Sequence, residues 1–299
     1  MKKGILIAVI LVVVGLAIAA GAYFAGRKSY SLFDTAKYVT NTYDVADAFT
    51  RIEIETGETD VILKRAQDAE ARVECVEREN VKHTVAVENG TLKIGVGDQR
   101  NLTDWLSFSA KPMSVTVYLP AEQYDALNVV NSTGDITVAE PFTFRSMNLR
   151  ASTGDIRLDG TKAGEMTLHV STGDIFVDNT AVSGALTASV STGKTNMKNV
   201  TCANFTSEGS TGRVTLTDVV AAGRMYVKRS TGKIRLENCD AGEIELHATT
   251  GDISGTLRSG KVFSAKASTG RINVPTGTTG GRCEITTSTG NIDFSISGK

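Results

Sequence analysis

The tripeptide Ser-Thr-Gly recurs through the second half of the chain, with its glycine at Gly134, Gly154, Gly173, Gly193, Gly212, Gly232, Gly251, Gly270 and Gly290. Only the copy at Thr249-Thr250-Gly251 departs from it. Successive glycines are 19 or 20 residues apart, and a fixed period of that length marks a repeat architecture.

Aligned on the glycine, four flanking columns are apolar. Seven residues before it stand Leu127, Met147, Met166, Leu186, Phe205, Met225, Ile244, Phe263 and Cys283; five before stand Val129, Leu149, Leu168, Ala188, Ser207, Val227, Leu246, Ala265 and Ile285. Two after stand Ile136, Ile156, Ile175, Thr195, Val214, Ile234, Ile253, Ile272 and Ile292; four after stand Val138, Leu158, Val177, Met197, Leu216, Leu236, Gly255, Val274 and Phe294. The exceptions are Ser207, Thr195 and Gly255. Apolar residues two apart on each side of the glycine give a period of 2, hence strands with one buried face. Each repeat therefore reads as strand, tight turn, strand and a variable link of about eight residues. The glycine supplies a backbone angle that a side chain resists, and Ser and Thr hydroxyls bond backbone groups at the bend.

A lone unit cannot bury its apolar stripe, whereas stacked units can. The expected fold is all-β: a single-stranded β-solenoid (β-helix) of about nine regular coils of 19–20 residues, over residues 121–299. At about 4.8 Å per rung it forms a rod of roughly 40 Å. An up-and-down hairpin array shares the strand-turn-strand pattern, but column-wise identity favours coils in register.

The residue after each glycine reads Asp135, Asp155, Asp174, Lys194, Arg213, Lys233, Asp252, Arg271 and Asn291. In a stacked ladder Lys233, Asp252 and Arg271 attract, while the first three aspartates repel unless solvent, turn amides or a cation relieve them. A solvated corner is preferred to a calcium site, since the nonapeptide calcium-roll pattern is absent. Cys75, Cys202, Cys239 and Cys283 are far apart with no C-x-x-C, so their spacing suggests neither a zinc site nor a redox motif. They read as buried small hydrophobes.

Residues 49–120 are β but irregular and are expected to cap the solenoid. Arg51–Gly57 reads as a degenerate first rung, and 71–78, 83–88, 91–96 and 113–119 read as strands, with a hairpin turn at Glu88-Asn89-Gly90-Thr91. A loop from Gly97 to Pro112 holds Trp105, read as a packing plug. Residues 26–48 read as a polar, partly helical tether. The open C-terminal end offers an edge for self-association.

Gly4–Ala25 carries no charge and is nearly all apolar. As a helix it spans roughly 33 Å, enough to cross a bilayer. Lys2 and Lys3 precede it; Arg27 and Lys28 follow. The rival is a cleaved signal peptide, with Ala17-Ile18-Ala19 or Ala20-Gly21-Ala22 as the cleavage site. The run exceeds a usual signal core, so residues 1–25 are expected to be an uncleaved single-pass transmembrane anchor. The short leading segment then stays in the cytosol and the solenoid lies outside the cell membrane.

The run Val115-Thr116-Val117-Tyr118-Leu119-Pro120, followed by Leu127-Asn128-Val129-Val130-Asn131-Ser132-Thr133-Gly134-Asp135-Ile136, resembles the bacterial "putative adhesin" domain family of unknown function. The resemblance covers about residues 48–299. It implies an envelope-exposed β-solenoid, some of whose relatives sit behind a membrane anchor or near envelope-stress genes, and it transfers no catalytic residues.

Lys and Arg number 32 against 33 Asp and Glu; a nucleic-acid partner ordinarily needs a basic stripe, so none is expected. Polysaccharide-cleaving β-helices share the architecture but need clustered carboxylates. Here outward carboxylates are scattered, and His169 and His247 fall four rungs apart, roughly 19 Å. No catalytic, cofactor-binding or metal residues, and no cofactor, are assigned. Arg213, Arg224, Lys228, Arg229, Lys233 and Arg235 form a basic cluster able to touch anionic wall polymers, or an ordinary mixed surface. Ice binding is disfavoured because the Ser-Thr ladder sits at a corner. The expectation is a non-catalytic binding, adhesion or scaffold protein, anchored in the membrane and partnered by a cell-wall polymer or surface protein. An envelope-stress accessory role rests on the resemblance alone.

Overall fold

The computed structural model describes residues 37–97, 113–277 and 279–297. The expected transmembrane segment and Trp105 lie outside these. Among the described residues no helix is long and apolar enough to cross a membrane.

Among the described residues 23 strands join one sheet. The cap contains β1 (Tyr38–Val45), β2 (Arg51–Glu58), β3 (Asp60–Arg65), β4 (Ala71–Arg78), β5 (His83–Glu88), β6 (Thr91–Val96) and β7 (Ser114–Leu119). The regular coils begin with β8 (Gln123–Thr133), β9 (Ile136–Val138), β10 (Thr143–Thr153), β11 (Ile156–Asp159), β12 (Lys162–Thr172), β13 (Ile175–Val182), β14 (Ala185–Thr192) and β15 (Thr195–Cys202). They continue with β16 (Asn204–Thr211), β17 (Val214–Thr231), β18 (Ile234–Thr250), β19 (Ile253–Leu257), β20 (Lys261–Thr269), β21 (Ile272–Asn273), β22 (Gly281–Thr289) and β23 (Ile292–Ile296).

The coils stack in parallel, each column on itself: Val129 pairs with Leu149, and Leu149 with Leu168. The apolar columns line a continuous core in which Leu127, Val129, Ile136, Leu149, Leu168 and Ile175 are all at most 1% exposed. Burying one such side chain is worth about 1.5–3 kcal/mol, which no coil could realise alone. The nine corners bound about eight full turns, one fewer than the glycine count suggests, because the turn opened by Gly290 ends at Ile296 in β23.

Stacking follows chain order only in the middle. At the C-terminal end β18 pairs with β22, β19 with β23, and β22 with β20. The last coil is thus inserted between the Gly251 and Gly270 coils. Its inward set, Cys283, Ile285, Ile292 and Phe294, is buried, whereas the displaced outer coil leaves Val262 41% and Ile272 45% exposed. That outer coil carries Pro275, a residue tolerated at a sheet edge because it has no N–H to donate. The same exchange occurs at the other end, where β2 and β3 contact the Gly134 coil and β6 and β7 stack outside them. Arg51–Glu58 is therefore a true rung, with Thr59 at the corner position. Tyr38–Val45, read as tether, is instead strand β1, antiparallel to β4, which is itself antiparallel to β7.

The expected link is also structured. Six residues after the first corner the chain turns again, with positive φ at Gly160, Asn179, Asn199, Asp218 and Asn238. A third short side follows, pairing Val200 with Val219 and Val220 with Asp240.

Candidate functional site

The first corner is held together by glycine and aspartate acting jointly. At Gly212, φ is +135°, and a Cβ there would lie 1.7 Å from the Gly193 carbonyl oxygen. Glycine is needed both for the angle and for the approach of neighbouring rungs. Beside it, the Oδ1 atoms of Asp60, Asp135, Asp155 and Asp174 accept the backbone N–H of Asp135, Asp155, Asp174 and Lys194 at 2.9, 2.8, 2.7 and 2.7 Å. The turn amides thus relieve the like-charged ladder, helped by Arg157, which pairs with Asp155 and approaches Asp135 at 3.9 Å. Asn291 does the same for the Arg271 N–H at 2.9 Å. Lys233 reaches Asp252 at 2.9 Å as expected, but Arg271 does not follow Asp252 in the ladder, because the inserted coil places Asn291 between them.

The second corner carries a side-chain ladder that the sequence reading missed. Asn179 donates to Asp159 at 2.8 Å, Asn199 to Asn179 at 2.9 Å, and Arg258 to Asp218 at 3.1 Å. The signal was the recurrence of Gly, Asn or Asp six residues after each of the five glycines from Gly154 to Gly232, residue types that tolerate positive φ.

The longest side presents an outward column of Asn128, Asn148, Thr167, Thr187, Thr206, Tyr226 and Glu245 in direct register. Asn148 donates to Asn128 at 2.9 Å. At its far end His247 bonds Glu245 at 2.7 Å and Thr286 at 3.0 Å. Thr286 arrives there only because the last coil is inserted. A hydroxyl, an imidazole and a carboxylate in line are the parts of a nucleophile-activating relay. Arg224, paired with Glu245, lies 4.7 Å above the Tyr226 ring and covers it. Hydrogen bonds from His247 and Arg224 hold the Glu245 carboxyl below its usual range. The cluster is a paired polar surface. His169 and His247 sit four rungs apart, as expected.

Of the basic cluster, Arg213, Arg224, Lys228, Lys233 and Arg235 are exposed, and Arg229 alone leaves the surface. Arg229 is 1% exposed and lies inside the core. Its guanidinium donates to the Thr195 hydroxyl at 2.9 Å, the Ser207 hydroxyl at 3.0 Å and the Lys228 carbonyl at 2.8 Å. Burial lowers its pKa to about 10. Two of the three polar interruptions of the apolar columns, Thr195 and Ser207, are therefore the cradle of one buried cation. Arg224 and Arg235 pair with Glu245 and Glu237.

All four cysteines are buried and free. Burial pushes the thiols of Cys75, Cys202 and Cys283 up to about 12 and that of Cys239 to about 11. In the cap, segment 44–47 separates two open clefts of about 470 and 310 Å³. The larger is lined by Asp44, Asp47 and Glu70 beside Phe49, which stacks on Tyr124 at 5.8 Å.

A family model described as Toastrack DUF4097 matches residues 49–185 and again 183–299. None of the curated proteins matches the sequence. Among solved structures, a putative adhesin from Bacteroides fragilis is 14% identical over 88% of this chain and 99% of that one, with a TM-score of 0.50. A putative adhesin from Parabacteroides distasonis is 15% identical over 88% and 98%, with a TM-score of 0.38. A protein from the same species described as a putative lipid binding protein is 13% identical over 86% and 96%, with a TM-score of 0.38. At these identities the Bacteroides structure supports the fold alone, and the likeness to the other two carries no argument.

Proposed function

The chain belongs to the Toastrack DUF4097 family, and on that premise we propose that it is a non-catalytic binding or scaffold protein of the cell envelope. Residues 4–25 anchor it in the membrane, since they carry no charge and are flanked by Lys2, Lys3, Arg27 and Lys28. The solenoid then stands outside the cell. The observation that carries the binding role is the outward column from Asn128 to Thr206, whose amides and hydroxyls repeat at every rung. With rungs about 4.8 Å apart, that column suits an extended polymer bearing repeated hydroxyl or amide groups. Such a partner is a wall glycan or an extended surface protein. With Arg229 in the core and Arg224 and Arg235 paired, an anionic polymer is the weaker candidate.

The test is co-sedimentation of the full chain, in detergent, with insoluble wall glycan, alongside an assay for released reducing ends. The proposal expects retention, its loss on Thr167→Lys with Thr187→Lys, and no sugar release. Glycan cleavage that stops on changing Glu245 or His247 would instead establish the polysaccharide-acting alternative.

A further inference from the structure

The cap contains a cluster that the solenoid does not require. Cys75 and Glu77 stand two apart on the inward face of β4, and His83 opens β5 just beyond the turn that joins them. Cys75 and Glu77 are fully buried and His83 is 5% exposed. Sulfur, carboxylate oxygen and imidazole nitrogen all lie within 4.8 Å of one another. We propose that Cys75, Glu77 and His83 form a binding site for a divalent transition-metal ion of the zinc class, which ties β4 to β5.

The first argument is the donor set. Thiolate, imidazole and carboxylate are the ligands that Zn²⁺ takes, at bond lengths of about 2.0–2.3 Å. Tetrahedral bonds of that length set ligand separations of about 3.3–3.8 Å. Glu77 Oε2 and His83 Nδ1 are 2.7 Å apart, so an ion between them needs each group to move by less than about 1 Å.

The second argument is the orphaned nitrogen. His83 uses one ring nitrogen on Glu77, and its other, Nε2, is buried with no hydrogen-bond partner among the described residues. Buried polar atoms left unpaired are costly. An ion at Nδ1 takes the place of the hydrogen bond to Glu77 and fixes the ring, so the remaining ring proton moves to Nε2. Nε2 is then an N–H donor rather than an unused acceptor.

The third argument is charge. A carboxylate with no exposure needs a cation or several donors. Glu77 has the Asn41 side chain at 2.5 Å, the His83 backbone N–H at 2.6 Å and the His83 ring nitrogen at 2.7 Å, donors that satisfy the carboxylate by itself, and no Lys or Arg partner among the described residues stands ready for a second negative charge. A thiolate from Cys75 with the Glu77 carboxylate carries two negative charges, which a divalent ion neutralises. Tyr43, whose hydroxyl donates to the His83 carbonyl at 3.2 Å, also lines the 310 Å³ cleft.

The spacing rules for zinc motifs do not detect this set, because its members come from alternate positions of one strand and the start of the next. The test uses the full chain in detergent, stripped with chelator and titrated with Co²⁺. The proposal expects one equivalent to bind with a thiolate-to-Co²⁺ charge-transfer band, and Zn²⁺ to bleach it. Cys75→Ser should abolish the band, His83→Gln should weaken Co²⁺ binding at least tenfold, and Cys202→Ser should change neither. Far-ultraviolet circular dichroism checks that each variant folds; if Cys75→Ser does not, His83→Gln decides. Absence of the band in the parent protein, its persistence in folded Cys75→Ser, or unchanged affinity in His83→Gln would overturn the assignment.

Discussion

Replacing Gly212 with alanine tests the central structural argument at a single atom. The residue has φ of +135°, and the added Cβ would sit 1.7 Å from the Gly193 carbonyl oxygen. Holding a non-glycine residue in that region costs about 1–3 kcal/mol. The overlap cannot be relieved by a rotamer, because the clashing atom is backbone. The rungs must part locally, weakening the bonds from Gly193 N–H to Thr211 O and from Gly212 N–H to Thr231 O, both 2.9 Å. Each is worth about 0.5–1.5 kcal/mol. Together the loss comes to about 2–6 kcal/mol. Gly90 is the control: its φ is +70°, yet a Cβ there meets nothing within 4 Å. Gly90→Ala should cost only the backbone term, about 1–2 kcal/mol. Urea denaturation followed by far-ultraviolet circular dichroism compares the two. Equal losses would refute the claim that close rung approach, beyond backbone angle, demands glycine at the corner.

Three further outcomes follow from the same packing. Arg229→Ala should cost about 3 kcal/mol by opening a cavity and stranding two hydroxyls, whereas Arg229→Leu with Thr195→Val and Ser207→Ala should recover most of that loss, both read by urea midpoint. Asp155→Ala should cost about 1–2 kcal/mol by removing the acceptor for the Asp174 N–H, while Asp155→Asn should cost less than half as much, because Asn291 already fills that role for Arg271. Lys261 is buried and pairs with Asp240 at 2.6 Å. Burial alone would raise the Asp240 pKa, but hydrogen bonds from Lys261 and Ser259 outweigh it and hold the carboxyl below its ordinary 3.8. That stabilisation is present above the unfolded value and lost as pH falls through the folded one. The stability gap between the parent protein and Lys261→Met should therefore be constant from pH 7 to about 5 and close progressively below 4, as denaturation at each pH would show.

The four apolar columns were legible because every coil buries the same face, so one period writes the core many times over. Even the interruptions carried information: Ser207 and Thr195 marked the place of Arg229, although sequence alone could not say that a cation three residues before a corner turns inward. The second corner was hidden because asparagine at positive φ looks like any polar link residue, and its column had to be aligned to be seen. Stacking order was beyond reach for a different reason. Columns encode the register within a coil, but every coil carries nearly the same columns, so nothing local forbids the Gly290 coil from sitting beside the Gly251 coil. The Thr286–His247–Glu245 contact depends on that choice. Cys75, Glu77 and His83 were individually visible, yet a glutamate at an inward strand position was the unused clue.

The proposal that the solenoid faces a partner outside the cell is tested most directly by its sidedness. All four native cysteines are buried, so Ser191→Cys, on the exposed side of its strand, gives the full chain a single accessible thiol. Intact protoplasts would be treated with a membrane-impermeant maleimide, with a cytosolic thiol protein as control. Labelling of Ser191→Cys before lysis, with the parent chain and the cytosolic control unlabelled, is the predicted result. Labelling only after lysis would place the solenoid in the cytosol and contradict the envelope-binding account.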